Sequence, residues 1–164
     1  MIRHPSGAPL ALAGDVISIN WGLHDICAHM YAPVSRAQYE AHLEFMAKRF
    51  AAALKPPHGK LLWVSTTPVP PSYKPRNNSD VVDINARARR IFDRLGVAQE
   101  DLYSQVVAEC RKNATTRGYP ETSDCLWLQP NGVHFGFTGN ESLGRNFTGS
   151  MVARAIEGLL PHGA

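Results

Sequence analysis

The sequence predicts an α/β fold built on a parallel, doubly wound sheet. Two observations carry that expectation. Short runs rich in β-branched and aliphatic residues alternate with longer segments of helical periodicity. A helix lying between two buried strands makes a right-handed crossover, which leaves those strands parallel. The 164 residues suit one domain with a substantial core.

The elements follow in order. Residues 1–14, rich in Gly, Pro and Ala, form a lead-in, and the domain occupies 15–164. Asp15-Val-Ile-Ser-Ile-Asn-Trp21 reads as a buried strand with Ser18 in its core, closed by Gly22. Ser35 caps a helix, and Gln38 completes a capping box. Tyr39, Leu43, Met46, Phe50 and Leu54 form the apolar stripe of that helix, which Pro56 and Pro57 stop. Leu61-Leu-Trp-Val-Ser65 is a second buried strand. It opens into residues 66–75, a proline-stiffened loop too long for a plain connection.

Asp80 is placed to cap the next helix, in which Ile84, Ala88, Ile91 and Leu95 align before Gly96 ends it. Asp101-Leu-Tyr103 leads into a helical turn through Cys110. Leu126-Trp-Leu128 reads as the last short strand. The final helix runs from about residue 140 to 160, with Leu143, Phe147, Met151, Ala155 and Leu159 on one side.

Composition excludes several classes. The chain is 44% hydrophobic and 19% charged, as globular domains are. No run approaches the roughly 20 apolar residues of a membrane span. Pro9 to Ala13 is shorter than the ~7–15 residues of a signal-peptide core. A net charge of +3 does not argue for nucleic acid. Arg87, Arg90 and Arg94 share one helix face, which reads as solvated, and no aromatics interleave with it.

The absence of a C-x-x-C pair leaves a zinc site unsupported, and no glycine-rich phosphate loop follows a strand, so no cofactor is expected. Cys27 reads as a small buried hydrophobe. Cys110 and Cys125 flank a polar loop; a disulfide closing it and two unpaired thiols are both compatible with the spacing. Sequons at Asn77, Asn113, Asn140 and Asn146, with a disulfide, would favour the secretory pathway.

In doubly wound folds the functional groups lie beyond the carboxyl ends of the strands. That rule selects residues 22–26, 66–80 and 131–138. Within them, Asn20-Trp-Gly-Leu-His-Asp-Ile26 is similar to the third block of the SGNH/GDSL hydrolases, in the form N-W-G-L-H-D that one subgroup uses. Trp63-Val-Ser-Thr-Thr-Pro-Val69 and Asp101-Leu-Tyr103 also resemble that subgroup. Asn131-Gly-Val-His-Phe135, followed by Gly139 and a terminal helix, resembles the fifth block, D-x-x-H. The four motifs occur in the right order across most of residues 15–160.

The resemblance implies a flavodoxin-like sheet and an acyl-transfer site without metal or cofactor. It assigns His134 as the general base toward a serine. Asn131 stands where the family has the aspartate that orients the histidine, and an amide cannot stabilise imidazolium by charge. Gly22 matches the oxyanion-hole glycine or its neighbour. His24 stands where the family usually has asparagine; oxyanion donor and structural histidine are both open readings. Asp25 is expected to stabilise the turn. Thr66, Thr67, Tyr73 and Arg76 lie in the long loop, where pocket-shaping and ordinary loop chemistry are both open, the second preferred.

The family's G-D-S block should precede Asp15, and only residues 1–14 stand there. Neither Ser6, Ser18 nor Ser65 sits in a nucleophile motif. The expectation is an SGNH-like domain without its first strand or strands, acting on an ester or acetylated carbohydrate by ancestry but inactive as this chain. The alternative is a non-catalytic subunit of a larger assembly. A bare 15–21 strand edge would call for a protein partner to cover it.

Overall fold

The computed structural model describes residues 16–27, 34–54, 59–135 and 142–160. Asp15, the lead-in, Pro56 and Pro57 lie outside them, as do Gly139 and Asn140. Three short strands, β1 (Val16–Ile19), β2 (Lys60–Val64) and β3 (Ala98–Glu100), pair in parallel in the order β1-β2-β3. Ile17 stands opposite Leu61 and Ile19 opposite Trp63, while Leu62 stands opposite Ala98 and Val64 opposite Glu100. Successive side chains of a strand point to opposite faces. Leu61 and Trp63 therefore enter one core, and Leu62 and Val64 enter another.

Helices cover both faces, which is why β2 reads as an unbroken apolar run. Helices α1 (Arg36–Ala53) and α2 (Asn78–Arg94) cover the first. Their Tyr39, Leu43, Val81, Ile84 and Phe92 join Ile19 and Trp63 in its core. Trp63 stacks on Phe92 with ring centroids 5.3 Å apart. Helices α3 (Leu102–Arg111) and α4 (Ser142–Glu157) cover the second face. There Leu62 and Val64 meet Val106, Cys110, Tyr119, Cys125 and Leu128, with Phe147, Met151 and Ala155 packed against them. The result is the three-layered, doubly wound α/β arrangement that the alternation of elements predicts.

The expected capping box is formed: the Ser35 hydroxyl accepts from the Gln38 amide, and the Gln38 side chain accepts from the Ser35 amide. The α1 stripe centres on Tyr39, Leu43 and Ala47, with Met46 and Phe50 half-buried beside it. Helix α2 ends as expected, with Gly96 at φ +65°. Its start differs from expectation. Asn77, not Asp80, is the N-cap, and it makes no side-chain cap bond. The Asp80 carboxylate reaches across to Arg36 at 2.6 Å instead.

The basic face of α2 is likewise more than solvated. Arg87 pairs with Glu40 at 2.9 Å and Asp83 at 2.8 Å, and Arg94 pairs with Glu44 at 2.6 Å, so ion pairs run along the α1–α2 seam.

Three further expectations are corrected. The third strand is Ala98–Glu100, before α3, and not Leu126-Trp-Leu128. The latter forms a turn whose Leu128 and Gln129 amides both donate to the Cys125 carbonyl, at 3.0 and 2.8 Å. Leu128 fills the core beside Cys125, with Trp127 packed against it and Leu126 exposed, so the apolar run marks a turn and not a ladder. Leu143 is 54% exposed, because the inward face of α4 begins one turn later, at Phe147. Ser18 is exposed, while Ile17 and Ile19 face the first core and Val16 packs against the second.

Of the two readings of the cysteines, the disulfide is the one formed. Cys110 and Cys125 are bonded, with Cα atoms 5.9 Å apart and both residues fully buried. Cys27 is a buried free thiol.

Candidate active site

Because the strands are parallel, the loops after β1 and β2 leave the sheet at the same end. Side-chain bonds lace them together. Asn20 Nδ2 donates to the carbonyls of Val64 and Ser65, at 3.0 and 3.1 Å. The Trp21 carbonyl accepts from Thr66 Oγ1 at 3.0 Å and from the Tyr39 hydroxyl at 3.3 Å. Burial, and then the Asp25 carboxylate, push the Tyr39 phenol well above its ordinary range, with Arg36 opposing, so the hydroxyl stays a donor. Thr66 is fixed in turn by Asn85, whose amide group bonds the Thr66 N–H at 2.9 Å and its carbonyl at 2.8 Å.

Gly22 is buried at the start of the first loop with φ +132°. A Cβ there would fall 2.5 Å from Ile84 Cδ1 and 3.0 Å from the Tyr39 hydroxyl. Only glycine fits, for backbone and for space. The turn that follows is closed by Ile26 N–H to the Gly22 carbonyl at 3.3 Å and Cys27 N–H to the His24 carbonyl at 3.2 Å. His24 is exposed and Asp25 half-buried on this turn.

The third region is a tight turn. Asn131 and His134 face each other across an isolated antiparallel bridge, and the His134 N–H donates to the Asn131 carbonyl at 3.2 Å. Gly132 makes the turn with φ +66°. Val133 is buried, which anchors the turn, while the Asn131 and His134 side chains are exposed. Among the described residues the link between Asn131 and His134 is through the backbone.

One residue of the long loop joins the regions, although it stands in no motif. Arg76 is only 6% exposed. Its Nε donates to the Leu23 carbonyl at 2.6 Å and its Nη1 to the Tyr73 hydroxyl at 3.0 Å. Its guanidinium carbon also lies 5.6 Å from the Tyr73 ring centroid, in cation–π range. The Tyr73 ring packs on Gly132 so closely that a Cβ there would come within 2.4 Å of Cδ2. Leu23, between Gly22 and His24, is thus linked to the His134 turn through two side chains.

Asp124, the carboxylate nearest upstream of Asn131, accepts from the Ser72 amide at 3.2 Å. Ser65 is buried and structural: its hydroxyl accepts from the Tyr103 amide at 2.8 Å and faces Asp101 at 3.4 Å. Among the described residues, no group of three or more His, Cys, Asp or Glu is placed to hold a metal ion, and no helix is long and apolar enough to cross a membrane.

Solved structures carry the same architecture. A lipase/acylhydrolase from Enterococcus faecalis superposes with a TM-score of 0.62 at 18% identity, over 92% of this chain and 65% of its own. The chain has an SGNH/GDSL-type hydrolase fold. An α/β hydrolase from the metagenome of Lake Arreo gives 0.61 at 16% identity, over 92% of this chain and 63% of its own. A protein from Parabacteroides merdae described as a GDSL-like lipase gives 0.61 at 18% identity, over 88% and 61%. The chain therefore spans less than two-thirds of the length of these structures. No protein-family model matches the sequence, and no curated protein matches it.

Proposed function

We propose that this chain carries the base and oxyanion elements of an ester-hydrolysing, acyl-transfer site. The observation behind this reading is the Arg76–Tyr73 bridge, which ties the Gly22–His24 loop to the Asn131–His134 turn. His134 is the general base: it accepts the proton of an attacking hydroxyl and returns it to the leaving alcohol. Gly22 and His24 supply N–H donors toward the tetrahedral oxyanion. The substrate is an ester, with acetylated carbohydrate within that class.

Two features limit the chemistry. No serine of the sequence sits in a nucleophile motif. Asn131 replaces the carboxylate that would stabilise imidazolium, a change that lowers kcat about 10⁴-fold in serine proteases. Turnover by the chain alone is therefore expected to be negligible. A second reading, a non-catalytic subunit, draws support from Asn131 and from β1, whose outer edge has no partner strand among the described residues.

Incubation with p-nitrophenyl acetate and a serine-directed fluorophosphonate, with His134→Ala as control, tests both. Labelling of one serine with histidine-dependent turnover would establish a working enzyme and remove the second reading. No labelling and no turnover would leave a hydrolase scaffold without its nucleophile.

A further inference from the structure

A cleft of about 620 Å³ opens between the loop after β2 and the segment around Pro120. Pro70, Pro71, Pro120 and Val82 give it apolar walls, and Lys74 and Arg76 line it as well. Neither cation has a carboxylate in ion-pair range among the described residues. Lys74 Nζ donates to the Pro71 carbonyl at 3.2 Å, and both acceptors of Arg76 are uncharged. The acid of the lining, Glu121, is already held by Arg111 at 2.8 Å.

Buried charges are normally paired, because an uncompensated one is costly to remove from water. Arg76 is more than nine-tenths buried, and its partners, the Leu23 carbonyl and the Tyr73 hydroxyl and ring, carry no charge. Helix α2 begins in the same wall. Asn77 makes no cap bond, the Asn78 side chain turns to the Val69 amide and the Tyr103 hydroxyl, and Asp80 is taken by Arg36. The positive end of the helix is therefore without a side-chain acceptor at the cleft.

We propose that this cleft binds a small organic anion. Its charged end lies against Lys74, Arg76 and the start of α2, and its apolar body lies along Pro70, Pro71 and Pro120. Occupancy is independent of the hydrolytic reading, since it needs no turnover.

The test is a titration of the ¹⁵N-labelled full chain with hexanoate, hexanamide and acetate, followed by amide resonances. Hexanoate should shift Tyr73, Asn77 and Ser79 saturably. Hexanamide should bind at least about tenfold more weakly, the loss expected for a charge-assisted hydrogen bond. Acetate should also bind more weakly, for want of an apolar body. Lys74→Glu, at an exposed position, should weaken hexanoate several-fold, whereas Lys60→Glu, at the opposite end of β2, should not. Equal affinity for hexanamide, acetate binding as tightly as hexanoate, hexanoate binding unchanged by Lys74→Glu, or no saturable shift would each overturn the proposal.

Discussion

The two faces of the sheet are held by different means. The α1–α2 face has two long helices, a stacked Trp63–Phe92 pair and a seam of ion pairs. The α3–α4 face is completed by residues 112–135, whose only regular piece is the short 3₁₀ turn Ala114–Thr116 and whose Val133 crosses to the first core. That segment cannot satisfy its backbone through a continuous helix or ladder. It relies on cross-links: the Cys110–Cys125 bond, Arg111 Nε on the Tyr119 carbonyl at 2.7 Å, and Tyr119 on Gln129, which in turn donates to the Pro68 carbonyl at 3.1 Å. Regular structure supports the Gly22 side of the candidate site, and covalent and polar stapling supports the His134 side.

Substitutions break that comparison in graded ways. Trp63→Ala removes the largest buried side chain of the first core and should lower stability by about 3–5 kcal/mol in urea denaturation. The double change Cys110→Ala, Cys125→Ala opens a 15-residue separation and should lower it by about 3 kcal/mol. Hydrogen exchange should then show losses concentrated in residues 112–135, with α1 and α2 still protected. A uniform loss would contradict the distinction between the faces.

Gly132→Ala forces a positive φ and a clash with Tyr73, costing at least about 1 kcal/mol. Its resonance changes should cluster at His134, Tyr73 and Leu23 if the Arg76 bridge couples the loops.

The smallest effect is acidic. Burial raises the Asp83 carboxyl, but hydrogen bonds from Arg87 and Arg36 more than offset it, and Lys48 holds the Glu44 carboxyl low. Both folded values lie below the unfolded ones. Their stabilisation is therefore present above about pH 4 and is lost as pH falls below it. Protection relative to the intrinsic exchange rate at each pH should therefore fall in α1 and α2 between pH 6 and pH 3, with the loss in α3 confined to its Asp101-capped start.

What was legible in the sequence follows the same division. The helices of the first face announce themselves through Ser35, Gln38, Gly96 and their apolar stripes, which are local signals. Strand β3 does not: Ala98-Gln-Glu100 has no β-branched residue and is only half-buried, so it carries no strand pattern. Leu126-Trp-Leu128 misleads because its apolar content serves a disulfide-pinned turn. At the candidate site the glycine and histidine positions stand in motifs, but Arg76 stands in none. Its role exists only once Leu23, Tyr73 and Gly132 are brought together by the fold.

Strand β2 is paired on both edges and shares its side chains between the two cores, Leu61 and Trp63 with one, Leu62 and Val64 with the other. Global melting therefore couples the two cores through this one strand, while the irregular segment 112–135 remains the part that can open locally.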